Sequence, residues 1–241
     1  MTSPHSVSFE IADRLRREIL IGQYRIGERM PSERDLAARF DVSRGAVREA
    51  LSQLEQQGVI EIQPGGVRVK ALEDASLAIL GPMLALEEVP NPQLVDQFLE
   101  IFSMLTSLTV KGAIEQASGE QMIQLREMLV SIGGKAENFE QMQPAWQAML
   151  DYMARIDNNL VVRLIGNDVK AQVVGQMLEL DIKPELPAGA GQDLVSALSE
   201  AFQKQDGQMA AQAFEKHFDQ LRAAMQDALI RLKDVYRRQA V

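Results

Sequence analysis

The sequence predicts a mostly α-helical chain in two domains: three short helices with a two-stranded hairpin, then an all-α bundle of six to seven helices. Three observations predict this. Apolar residues recur at helical spacing through residues 8–58 and again from residue 77 onward, and β-branched runs are confined to residues 59–70. The charge divides at the same place. Residues 1–70 hold 11 Lys+Arg against 10 Asp+Glu, whereas residues 71–241 hold 14 against 24. The ten positive charges before Lys70 are all arginines, whose planar fork suits bidentate contact with phosphate or guanine. A weakly positive, arginine-rich segment joined to an acidic one is an asymmetry that points to nucleic acid.

The elements follow in order. From Ser8, the apolar set Phe9, Ile11, Ala12, Leu15 and Ile19 makes one helix face, and Gly22 stops it. Residues 23–31, with Gly27 and Pro31, read as a loop. Ser32 opens a second helix, with Asp35 three residues on as in a capping box, and Leu36, Ala37 and Phe40 turn inward. Asp41-Val42 makes a tight turn. Ser43 caps a third helix whose stripe is Val47, Ala50, Leu51 and Leu54, ending near Gly58. Two β-branched runs, residues 59–63 and 67–70, flank the turn Pro64-Gly65-Gly66. This order is that of a winged helix-turn-helix, residues 1–70.

Residues 71–76 are short and polar, a linker. The helical domain then runs over residues 77–241. Its segments are 77–86, 94–114, 119–132, 145–156, 160–180, 193–203 and 208–238, interrupted by Val89-Pro90-Asn91-Pro92, Gly133-Gly134 and a loop over 183–191.

Composition excludes several functions. There are no cysteines and only two histidines, His5 and His217, so thiolate chemistry and Cys-ligated zinc are ruled out, as is a three-imidazole site within one chain. No apolar run approaches the ~20 residues that cross a bilayer. The opening residues lack the basic start and apolar stretch of a signal peptide, so a soluble cytoplasmic protein without membrane association is expected. No glycine-rich phosphate cradle, Ser/His/Asp set or zinc spacing occurs. Neither catalysis nor a cofactor has a candidate.

DNA reading does have one. A helix entering the major groove needs a capped start, small residues near it and cations reaching bases and backbone. Ser43-Arg44-Gly45-Ala46-Val47-Arg48 meets these demands. Arg44 and Arg48, four apart, stack on a strip beside the apolar stripe. Gly45 keeps bulk away, and Ser43 caps the helix or offers its N–H to a phosphate. Ser32 and Arg34 open the preceding helix, and Gly65 and Gly66 at the hairpin tip permit close approach to the duplex. Taken singly, each arginine fits equally a solvated face shared with Glu33, Asp35 and Glu49.

Residues 9–70 resemble the winged helix-turn-helix of the GntR family of bacterial regulators. The matching text is Ala12-x-x-Leu15-x-x-x-Ile19, then Gly27-x-x-Met30-Pro31-Ser32-Glu33-Arg34-x-Leu36-Ala37. It continues with Val42-Ser43-Arg44-x-x-Val47-Arg48-Glu49-Ala50-Leu51-x-x-Leu54 and Gly58-x-Ile60. The resemblance implies a homodimeric transcription factor on double-stranded operator DNA, contacted by Arg34, Arg44, Arg48 and the wing glycines. The helical remainder is similar to the FadR subfamily, through Leu77-x-Ile79-Leu80, Leu84, Pro92-Gln93-Leu94-Val95-Asp96 and Leu99. That implies a bundle binding a small effector, a carboxylate or a fatty acyl-CoA.

The chain departs from that subfamily at its ligand sites. Most members hold a metal with one Asp and three His. Aligned on Asn158, those positions fall here on Ala145, Met149 and near Val195, leaving only His217, so no metal is expected. The arginine that anchors carboxylate effectors falls on Phe102. Beyond His217, the residues that bind acyl-CoA fall on Phe218-Asp219 and Ala223. Trp146, Met149, Tyr152, Met153, Met177 and Phe214 would line a soft apolar cavity near His217, or equally fill an ordinary core. A bundle serving only dimerisation or protein contact is the alternative to an effector sensor.

Overall fold

A computed structural model describes residues 6–134, 139–179, 182 and 184–239, with backbone alone at 139–143, 172–179 and 239. Helix α1 (Val7–Leu20) starts at Ser6, whose hydroxyl accepts from Phe9 N, and buries Ile11, Ala12, Leu15 and Ile19. Phe9, expected on that face, is exposed. At 100° per residue it stands about 110° round the helix from the centre of the buried arc, where Ser8 sits instead. Helix α2 (Glu33–Phe40) and helix α3 (Arg44–Gln56) are joined through Asp41, which ends α2 in the left-handed region at φ 54°. Strands β1 (Ile60–Gln63) and β2 (Gly66–Val69) pair antiparallel, Ile60 opposite Val69 and Gln63 opposite Gly66. The tip is therefore the two residues Pro64 and Gly65, with Gly66 already in the strand.

The expected loop at 23–31 contains strand-like pairing. Gly27 N donates to Val69 O (2.8 Å), Met30 N to Val67 O (2.9 Å) and Val69 N to Glu28 O (3.1 Å), so residues 27–30 lie along the free edge of β2. Three or four residues are too few to display an alternation in sequence.

The chain groups into a unit built on Met1–Pro90 and another built on the residues from Asn91 onward. The sequence reading places the division at residues 71–76 instead. Short 3₁₀ turns at Leu72–Asp74 and Leu77–Ile79 lead into α4 (Leu80–Leu84), and Leu72, Ala75, Ile79 and Met83 pack on the N-terminal core around Leu15, Leu36, Leu51, Leu54 and Ile60. A small winged core is short of apolar surface, and the stretch after the hairpin supplies more. The segment 71–76 is thus part of that packing rather than a free linker.

The second unit holds α5 (Pro92–Gln116), α6 (Gly119–Gly133), α7 (Phe139–Asp157), α8 (Leu160–Glu179), α9 (Ala190–Lys204) and α10 (Gly207–Gln239). Asn91 and Pro92 start α5, the Asn91 side chain accepting from Gln93 N and Leu94 N, and a Ser118/Gln121 capping box starts α6. Helix α7 begins at Phe139 and continues through Pro144, where the sequence suggested a start just after it. A proline this near the N-terminal end removes a single i→i−4 bond from a 19-residue helix. The core gathers Val110, Ile114, Leu125, Leu129, Met153, Leu198, Phe202 and Phe214 from α5, α6, α7, α9 and α10. Gly207 lets α10 start against α5: a Cβ there would meet Lys111 O at 2.6 Å. Farther along, Arg222 grips Asp96 with two hydrogen bonds (Nε–Oδ1 2.9 Å, Nη2–Oδ2 2.8 Å), and Gln226 donates to Pro92 O at 2.7 Å.

Candidate nucleic-acid interface

Caps and a tight turn fix how α3 is presented. Val42 N donates to Ala37 O (3.1 Å) across the turn, and Ser43 Oγ accepts from Ala46 N (3.2 Å) at the start of α3. Substituting such a cap by alanine costs typically ~1 kcal/mol. Ser32 does the same for α2, accepting from Asp35 N at 3.3 Å and donating to Asp35 Oδ2 at 2.6 Å. Val47, Ala50, Leu51 and Leu54 then turn α3 inward, which leaves its first turn facing solvent.

On that surface the side chains of Arg34, Arg44 and Arg48 are 84%, 65% and 70% exposed. They are not bare. Glu33, on the first turn of α2, takes a bidentate grip from Arg48 (Nε–Oε1 3.1 Å, Nη2–Oε2 3.0 Å) and lies 3.8 Å from Arg44 Nη2. Arg34 Nε stands 3.8 Å from Asp35 Oδ1. The hydrogen bond from Arg48 holds the Glu33 carboxyl below its usual range, and that from Ser32 does so for Asp35. Both are anions at neutral pH. Exposed pairs of this kind are worth ~0–1 kcal/mol, so an incoming phosphate competes on easy terms. Arg48 also uses only two of its five N–H donors on Glu33, leaving the outer edge of the fork for a base or phosphate. Glu33 entered the sequence reading only as a charge neighbour; its position opposite α3 makes it the brace of Arg44 and Arg48.

Gly45 has room for a side chain within the protein, its added Cβ meeting nothing nearer than Ser43 Oγ at 3.7 Å. Packing within the protein therefore does not require a glycine there. Gly65 has no neighbour within 4 Å. Gly66, at φ +118°, is covered by the guanidinium of Arg29: a Cβ there would lie 2.6 Å from Arg29 Nε.

Two other arginines of the segment serve the fold. Arg16 is buried and donates to Gln57 Oε1 at 3.2 Å. Arg39 binds Glu18 through both Nη atoms and lies 4.9 Å over the Phe40 ring. Arg16 is set apart by burial, and Arg39, whose side chain is 42% exposed, by its grip on Glu18 and the Phe40 ring.

Within the bundle, most of the apolar residues proposed for an effector share one core. Met149, Met153 and Phe214 are buried in it, and Phe102, Trp146 and Tyr152 pack on it. Trp146 meets Phe214 edge to face at 5.6 Å between ring centroids, and Phe102 meets Phe218 at 5.7 Å. Met177 lies outside the residues whose side chains are described. His217 Nδ1 is buried with no hydrogen-bond partner among the described residues, and burial pushes its pKa below the usual histidine value. The subfamily's metal does not fit here. Met149 and Val195 are buried apolar side chains, and no group of three or more His, Cys, Asp or Glu among the described residues is placed to hold a metal. No described helix is long and apolar enough to cross a membrane.

Residues 8–69 match the family "Bacterial regulatory proteins, gntR family". The HTH-type transcriptional repressor NanR of Escherichia coli O127:H6 (strain E2348/69 / EPEC) is 31% identical over 121 residues, 49% of this chain and 46% of the relative. NanR of Escherichia coli (strain K12 / DH10B) matches to the same extent. The chain thus spans about half the length of the curated relatives it matches. Among solved structures, one described as "Lar controls the expression of the Listeria monocytogenes agr system and mediates virulence" covers 96% of this chain and 100% of its own, with a TM-score of 0.54 at 15% identity. At that identity the likeness is one of fold alone.

Proposed function

We propose that this chain, whose N-terminal unit is a gntR-family DNA-binding domain, is a transcriptional regulator that grips operator DNA as a homodimer. The observation that carries the reading is the exposed set Arg34, Arg44 and Arg48 around the capped start of α3. Helix α3 lies in the major groove, its arginines on bases and phosphates, with the wing alongside. A two-fold dimer meets a roughly palindromic operator. Large apolar side chains left exposed on the bundle support a second copy: Ile101, Met104 and Leu108 at helical spacing on α5, and Leu160, Val161, Leu164 and Ile165 on α8. The test is Arg44→Ala and Arg48→Ala against duplexes selected by the wild-type protein. Each loses about 1–3 kcal/mol of discrimination while the circular dichroism stays helical. Unchanged affinity in both variants defeats the docking.

The bundle, in this proposal, senses a small acidic or acyl metabolite without a metal. The Nδ1 of His217, beside Phe218 and without a partner among the described residues, supports it, because a buried polar atom without a partner is rare and a ligand would satisfy it. A ligand-free dimerisation bundle is the second reading, favoured by Phe102 standing where a carboxylate anchor is implied and by the full burial of Met149 and Met153. Thermal-shift titration with carboxylates and acyl-CoAs separates the two. A stabilisation growing with concentration supports sensing, and a flat response to every compound supports the interaction bundle.

A further inference from the structure

We infer that Arg29, a residue of the expected loop, is a DNA-contacting cation of the wing, and that Gly66 is small in order to seat it. The inference rests on the DNA-binding role proposed above.

Residues 27–30 extend the hairpin into a third, short strand, with Arg29 bridged to Arg68. The bonds from Met30 N to Val67 O and from Val69 N to Glu28 O flank this pair. That makes it a non-hydrogen-bonded antiparallel pair, whose Cα atoms lie about 4.5 Å apart with side chains on one face. Across β1 and β2 the same face continues with Glu61, opposite Arg68. The row therefore reads Glu61, Arg68, Arg29, with two like charges directly opposite each other, an arrangement that disfavours the sheet.

Nearby groups answer one of these cations and not the other. Arg68 Nη1 donates to Gly27 O at 2.8 Å. Glu61 accepts from the Gln63 amide at 2.7 Å, and Glu28 from Arg25 N at 2.8 Å. Among the described residues no hydrogen bond or ion pair engages the exposed Arg29 guanidinium. It leans along the strand toward the hairpin tip and lies over Gly66, with Nε, Nη2 and Cζ at 2.6, 3.1 and 3.2 Å from where a Cβ would stand. Any side chain at 66 would evict it. The outcome is a seated guanidinium with its fork unengaged at the tip of the wing, the element placed to meet the duplex beside the groove that α3 enters. Phosphate oxygens and the negative potential of a narrow minor groove are the anionic partners such a group fits.

The experiment titrates wild-type protein, Arg29→Ala and Arg44→Ala with a duplex that the wild-type protein selects from a random-sequence pool, at a series of salt concentrations. Arg29→Ala is expected to weaken binding at least tenfold and to flatten the slope of log affinity against log salt by about one per winged unit, about two for the dimer, at unchanged melting temperature. A loss greatest on duplexes with A·T-rich flanks assigns Arg29 to the minor groove. A uniform loss assigns it to the backbone, and either supports the inference. Wild-type affinity and slope in Arg29→Ala, with binding lost in Arg44→Ala, overturn it and leave the proposed function standing. If the wild-type protein selects no duplex at all, the DNA-binding role fails and this inference with it.

Discussion

The winged unit and the helical bundle are both organised around an apolar core, yet they place their polar chemistry in opposite positions. In the winged unit the informative groups face outward, as exposed guanidiniums held by caps, a turn and the brace of Glu33. In the bundle the telling group faces inward, a buried His217 nitrogen without a partner among the described residues. The difference teaches where a function can be read. A charged surface on a short helix depends on neighbours within a few residues of sequence. An interior site depends on which side chains a whole set of helices brings together.

The largest expected effect tests whether each region stands on its own core. Phe202 is fully buried and heads the bundle's largest enclosed side chains. Phe202→Ala removes it from a core to which α5, α6, α7, α9 and α10 all contribute, at a cost of about 3–5 kcal/mol. Scanning calorimetry should show the bundle's transition falling while that of the winged unit, which has its own cluster, holds its temperature. A single transition moving as a whole would break the comparison and make the two regions one cooperative body.

The same contrast explains what the sequence disclosed. Ser32, Asp41 and Ser43 set helix ends through bonds spanning three to five residues, so α2 and α3 were legible at nearly their true bounds. The hairpin was legible too, because Pro64 and Gly65 interrupt two β-branched runs. The strand-like edge at 27–30 was not, since its partner is β2, some forty residues away, and so Arg29 gave no local signal. The packing that follows the hairpin was hidden for a related reason. Leu77–Leu84 has helical spacing, but only the fold shows Ile79 and Met83 packing on the winged core. Among the arginines, composition separates none. Arg16 and Arg39 answer Gln57 and Glu18, whereas Arg34, Arg44 and Arg48 stay outside. In the bundle the sequence found the residues that meet around Trp146 and Phe214 but not whether they enclose a ligand, because cavity shape is a property of helix packing rather than of spacing.

A smaller effect sharpens the bundle's side of the comparison, through the pH dependence of its stability. Burial lowers the pKa of His217 below its ordinary 6.5, so the fold favours the neutral ring. Between the lowered folded value and 6.5 the unfolded chain binds the proton more readily than the folded one, and stability rises with pH across that window. The contribution is complete above about 6.5 and is lost as pH falls through the folded value. His217→Phe, which keeps an aromatic ring beside Phe218, should flatten that part of the stability–pH curve of the bundle transition. An effector that accepts or donates a hydrogen bond at Nδ1 would then stabilise the wild-type protein and lose that effect in the variant. An unaltered curve in His217→Phe would mean that the imidazole titrates as freely folded as unfolded, and the inward-facing chemistry that sets the bundle apart from the winged unit would lose its imidazole.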